Sequence, residues 1–284
     1  AWEALENANT PAEQLSGTRT GVYVGLGLSD YGRRHFLGPD ATQMTAYSGT
    51  GAFLSVAAGR ISYALGLQGP AVTVDTACSS SIVALNMACR DLKDGIIDRA
   101  IVGGASLNLD PSKSATFAAF SMLSPTGRCH SFDTKADGYC RSEGMAAIVL
   151  ERSDVLAAGG TAASLPPAGY CKVLGSSIAS AGWKEKGITY PAGIEQATNA
   201  KAAFERSGVP VESIGYVEAH GTGTTAGDHQ ELLGLSEVFY GAHQPHRATG
   251  ATPARSWANH ANMTRQSLPC PALANGAPDN PRVP

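Results

Sequence analysis

"GPAVTVDTACSSSIVALNMACRDLKDG", Gly69 to Gly95, passes from a strand pattern to a helix pattern and puts a cysteine at the change. Ala71, Val72 and Val74 make a short apolar run bounded by Gly69-Pro70, the pattern of a buried strand. Ile82, Leu85, Cys89 and Leu92 then recur at spacings of three and four, which predicts a helix with one apolar face. Ser79 to Ser81 supply small polar residues at its start, and Gly95 supplies a stop after Leu92 and Lys93. Cys78 is therefore placed at a strand-to-helix turn. The first turn of a helix leaves N–H groups unpaired and carries the positive end of the helix dipole, both of which favour an anion. A thiolate is such an anion, so Cys78 is a candidate nucleophile near neutral pH. The competing reading is a small buried hydrophobe.

Outward from this unit, strands and helices alternate. "TGVYVGLG" (Thr20 to Gly27) reads as a strand, followed by a Gly-rich polar loop and a small-residue helix around Phe53 to Leu65. After the cysteine unit come a strand "RAIVGGASL" (Arg99 to Leu107), a long loop region from Pro111 to Gly144 and a strand "GMAAIVLER" (Gly144 to Arg152). "AGYCKVLGSSIAS" reads as a further strand, "AGIEQATNAKAAFERSG" as a helix closed by Gly208 and Pro210, and "IGYVEAHG" (Ile214 to Gly221) as a strand ending in a turn. At the other end, "AWEALENA" sets Trp2, Leu5 and Ala8 on one face, so the chain is read as beginning inside a helix. Such alternation predicts an α/β protein with buried strands and helices outside.

With 284 residues the chain is long enough for a substantial core, and a net charge of −3 argues for neither nucleic acid nor an anionic membrane surface as partner. No apolar run approaches the roughly 20 residues that span a bilayer, and no charged-then-apolar leader is present, so a soluble cytoplasmic chain is expected. The six cysteines are scattered without paired spacing, which fits a reducing compartment better than a disulfide framework. Asn262-Met-Thr264 is read as a chance sequon and His243-Gln-Pro-His246 as too isolated for a metal site, so no metal is expected. "GTGTTAGD" lacks the lysine of a phosphate-binding loop, and Gly25-Leu-Gly27 lacks the third glycine of a dinucleotide fingerprint. Beyond Gln244 the composition turns to Pro, Ala, Asn and Thr with few large aliphatics, which predicts a poorly ordered tail over 245–284.

A nucleophilic thiol needs a group that moves protons or stabilises developing charge. "YVEAHGTGTTAGD" offers His220 at a second strand end, beside glycines and three threonines. A hydrogen-bonded structural histidine is the alternative. "VDTACSSS" before a helix, then "MLSPTGRCHSFD", "ADGYCRSEG" and "VEAHGTGT", in this order and at these separations, resemble the β-ketoacyl synthase domain of modular or type I polyketide synthases. "AWEALENA", "GVYVGLGLSDY" and "GRISYALGLQGP" share the resemblance, which runs from Ala1 to about Tyr240.

The resemblance implies a thiolase-like fold of five alternating layers, αβαβα, here incomplete in its second half. It divides the chain into a partial synthase domain over 1–244, with an N-terminal half to about 165 and the start of a C-terminal half from 166, and the tail. It also implies a homodimer, neighbouring synthase domains and a decarboxylative Claisen condensation of an acyl chain with a malonyl-type unit on acyl carrier protein. Cys78 would carry the acyl chain, and His220 would polarise the malonyl thioester carbonyl. Thr222 and Thr224 would meet the phosphopantetheine arm, and Glu143 would be structural or gating. No bound cofactor is implied. The family's second histidine stands in a "KSNIGH" motif whose nearest counterpart is "RSWANH", Arg255 to His260. His260 is the candidate there, but Trp257 and Asn259 replace a small amide and a glycine, which favours a chance histidine. His229 stands where the family usually has proline. Three readings follow: a condensing enzyme, a non-catalytic fragment that at most accepts an acyl group on Cys78, and a Cys-His hydrolase, which the acyl-carrier motifs disfavour.

Overall fold

The computed structural model describes residues 1–27, 29–36, 40–153 and 169–241. His260, the expected tail, the sequon, His243-Gln-Pro-His246 and the boundary near 165 lie outside the described residues. Ala1–Phe239 forms one compact unit.

Four strands make its sheet: β1 (Thr20–Gly25), β2 (Ala71–Val74), β3 (Arg99–Ser106) and β4 (Gly144–Glu151), in the order β2-β1-β3-β4. β1 runs parallel to β2 and β3, and β4 closes the row antiparallel to β3 with Arg99 opposite Glu151. Those two residues also form an ion pair. β1 is central, and its side chains are almost all buried, whereas β2 is an edge strand and only half-buried. The expectation of a buried strand at Ala71 to Val74 is corrected to that extent, because a strand with a neighbour on one side keeps one flank open.

Helices cover both faces. α1 (Trp2–Asn7) and α4 (Ser55–Leu65) lie on one, where Leu5, Leu15, Val22, Ala58, Leu67 and Ile101 form a core. α5 (Ser80–Lys93) lies on the other, packing Ala84, Ala88 and Leu92 against Tyr23, Ile97, Ala100 and Val102. The stripe that faces the sheet is thus Ala84-Ala88-Leu92, with Leu85 beside it, and Ile82 is exposed at 55%. Alanines let the helix axis approach the sheet, and hydropathy alone does not reveal that choice. The predicted stop holds: Gly95 follows the C-cap with a left-handed φ of 71°.

The Gly-rich and polar loop contains two short helices, α2 (Asp30–Phe36) and α3 (Ala46–Ala52). The long loop region from Pro111 is also corrected, since α6 (Pro111–Ala119) opens it. Asp110 caps α6 by accepting the Ser112 N–H at 2.8 Å, and proline takes the first helical position, where no N–H is needed. The second half brings α7 (Gly193–Ser207) and α8 (Thr225–Phe239), packed together through close approach at Gly193 and Gly234 and a Lys201–Glu237 pair at 2.7 Å.

Neither strand expected in this half is formed. Residues 171–180 lie along α7, with Arg206 donating to the Ser176 carbonyl at 3.1 Å, and 214–221 run outside any ladder. A strand exists only through a partner's backbone, and among the described residues no sheet edge reaches these segments.

Candidate active site

Between β2 and α5 the chain makes one 3₁₀ turn, Ala77–Ser79, and Cys78 sits at its centre, exposed. Hydrogen bonds knit the turn. Thr76 N–H donates to Ser80 Oγ (2.9 Å), Ala77 N–H to Asp75 Oδ1 (3.0 Å), and the Ser80 hydroxyl to the Ala77 carbonyl (2.6 Å). Ser79 stands at the N-cap of α5, yet its hydroxyl turns back to the Thr76 carbonyl at 2.9 Å. The serines therefore shape the turn rather than cap the helix. Ala77 takes a left-handed φ of 55°, a conformation that costs a residue with a side chain about 1–2 kcal/mol. Beneath the turn, a Cβ on Gly25 would come within 2.4 Å of the Ser81 nitrogen, and one on Gly104 within 3.0 Å of Ser81 Cβ. Glycines at these strand ends let the first turn of α5 sit directly on β1 and β3.

His220 is held by hydrogen bonds instead of a sheet. Its N–H donates to Glu231 Oε1 at 2.6 Å, and the next N–H, of Gly221, to Oε2 of the same carboxylate at 2.8 Å. Buried Asp228 accepts the N–H groups of Gly223 at 2.9 Å and Phe132 at 2.6 Å. The turn is further tied to residues 129–140, where Gly138 N–H donates to the Gly223 carbonyl at 2.9 Å and the Ser131 hydroxyl reaches the Gly221 carbonyl. Thr222 and Thr224 face each other, Oγ1 to Oγ1 at 2.9 Å, and Thr224 Oγ1 takes the Gly227 N–H at 3.2 Å in the first turn of α8.

These two assemblies bring the Cys78 thiol and the His220 imidazole into a hydrogen bond. That bond holds the thiol below its usual pKa against the opposing effect of partial burial, with further help from the imidazole's charge, the Cys78 backbone and Arg141. The same bond raises the imidazole above its usual value, aided by the charges of Cys78, Glu231 and Asp228 and opposed by burial. Both shifts favour a thiolate–imidazolium pair. Arg141 is fixed by Asn108 Oδ1 at 3.1 Å, Tyr139 Oη at 3.3 Å and the Phe117 ring, 5.1 Å from its centroid. Glu143 accepts the Asn108 N–H at 2.6 Å, a structural bond. His229 is exposed on α8.

Sequence reasoning missed Arg141, Asn108, Asp228 and Glu231. For the two acids a signal was present, since Asp228 and Glu231 stand three apart, on one face of a helix that starts just after the histidine. What the pair can do is present a nucleophilic sulfur beside a hydrogen-bond donor, which suits acyl transfer from a thioester.

The comparisons with known proteins agree on one family. Residues 1–171 match the model of the β-ketoacyl synthase N-terminal domain, and residues 170–261 that of its C-terminal domain. Over 240 residues, 84% of the chain, it is 43% identical to the mycocerosic acid synthase-like polyketide synthase of Mycolicibacterium smegmatis, spanning 11% of that protein. It is 41% identical over 241 residues, again 84% of the chain, to the phthioceranic/hydroxyphthioceranic acid synthase of Mycobacterium tuberculosis, spanning 11% of it. Among solved structures, the ketosynthase from module 6 of the bacillaene synthase of Bacillus subtilis 168 matches with a TM-score of 0.72 and 38% identity, over 84% of this chain and 39% of that one. An oxazolomycin ketosynthase domain from Streptomyces albus matches with the same TM-score, 34% identity, and 84% and 40% coverage. The chain thus has the thiolase-like α/β fold, and the second sheet of its layered form is not made among the described residues. By motif, sequence and fold together, this chain belongs to the β-ketoacyl synthase family and is similar to the ketosynthase domains of modular polyketide synthases.

Proposed function

We propose that this chain is a condensing domain in which Cys78 takes the acyl chain and His220 assists carbon–carbon bond formation. The observation that carries the reading is the hydrogen bond between the two side chains, drawn from a β-sheet turn and a distant loop. In the first step the Cys78 thiolate attacks an acyl thioester carbonyl, the phosphopantetheine thiol leaves with a proton, and the acyl group rests on Sγ. A malonyl-type thioester on acyl carrier protein then loses carbon dioxide. The imidazole N–H donates to the thioester oxygen as negative charge builds there, which is the role of a preorganised donor. The resulting carbanion attacks the Cys78 acyl carbonyl, and the thiolate departs as leaving group.

Thr222 and Thr224 are proposed to meet the phosphopantetheine arm, with acyl carrier protein as the partner that delivers it and a homodimer as the assembly. No step uses His260.

The test is mass spectrometry of the intact chain after exposure to an acyl thioester, with the site mapped by peptide. The expected result is one acyl adduct on Cys78. His220→Ala should cut release of carbon dioxide from a malonyl thioester by about 100-fold or more, while acylation falls far less. Equal loss of both steps contradicts the role given to His220, and an adduct without any decarboxylation in the unsubstituted chain favours an acyl-accepting fragment instead.

A further inference from the structure

We infer that Glu231 is a positioning residue for the Cys78–His220 pair: its carboxylate grips the successive N–H groups of His220 and Gly221, fixing the imidazole and holding a negative charge beside it. The inference rests on the proposed function. His220 belongs to no ladder, so the direction of its side chain depends on the turn alone. Two consecutive amides converge on one carboxylate at 2.6 and 2.8 Å, and the left-handed backbone at Gly221 and Gly223 (φ 50° and 74°) supplies the concave shape that makes such convergence possible. Charge-assisted bonds of this kind are shorter and stronger than neutral ones.

Asp228 has a separate task. It joins Gly223 to Phe132, and so anchors the turn to residues 129–140 without touching the histidine's own backbone. Glu231, three residues further along the same face of α8, acts on His220 itself. The charged groups that influence His220 are Cys78, Glu231 and Asp228, and Arg141 adds its effect at Cys78. With both acids ionised the imidazolium persists to higher pH, and removing the Glu231 charge shortens that range.

The experiment compares alkylation of Cys78 by anionic iodoacetate and neutral iodoacetamide across pH in the full 284-residue chain, read by peptide mass because the other five cysteines also react. An imidazolium beside the thiolate draws the anion, so the ratio of the two rates falls as the ring loses its proton. In Glu231→Gln the midpoint of that fall should move down by about half a pH unit or more, and Glu231→Asp, which keeps the charge, should restore most of it. An unchanged midpoint in a folded Glu231→Gln chain overturns the inference. A ratio independent of pH in the unsubstituted chain brings down the Cys78–His220 pair itself, and the proposed function with it. If the variants fail to fold, the unsubstituted chain still decides: the amide resonances of His220 and Gly221 should shift together as a carboxylate titrates in the acid range, and their indifference to acid rejects the grip.

Discussion

Residues up to β4 bury their apolar side chains on both faces of a four-stranded sheet, whereas 169–180 and 214–221 carry Leu174 (61% exposed) and Tyr216 (78% exposed) into solvent. The nucleophile stands in the first region and its histidine in the second. In the first, position follows from packing: strand ends without side chains, a helix with an alanine face and a turn whose polar groups are paired internally. In the second, position follows from a few carboxylates and loop contacts. A site assembled from both inherits rigidity on the cysteine side and dependence on individual hydrogen bonds on the histidine side.

Substitutions can break or sharpen that contrast. The largest effect is expected from Gly25→Val, because its Cβ alone would stand 2.4 Å from the Ser81 nitrogen and must displace α5. A loss of about 3 kcal/mol in chemical denaturation, with slower alkylation of Cys78, is the expected result. A stable variant with a normally reactive thiol would show that the turn does not depend on this approach. Leu92→Ala empties part of the core under α5, where Leu92 is 6% exposed. It should cost about 2–4 kcal/mol, measured by the same denaturation. Leu174→Ala removes as many atoms from an exposed position and should stay within about 0.5 kcal/mol. A cost for Leu174 equal to that for Leu92 would mean that the second region has a core of its own.

The same contrast explains what the sequence disclosed. The strand, turn and helix around Cys78 were legible because each signal is local: β-branched residues, a break in period, a terminal glycine. Ile82 misled, since its hydropathy suggested a buried face while the sheet selected Ala84 and Ala88. α6 escaped notice although Asp110-Pro111 is a helix-start signal, because glycines and charged residues further on dominate the region. The strand expected at Ile214 to Gly221 is a property of partners and not of the segment, so its pattern could propose a strand but not pair it. His220 was found through its motif, and Glu231, which holds it, lies one helix turn beyond where the motif was read.

Ala77 keeps a methyl group in a backbone conformation suited to glycine. Glycine at that position would widen the range of accessible angles and let the neighbouring sulfur sweep a cone. The methyl works as a detent, trading a little comfort in the resting fold for a thiol with a single bearing.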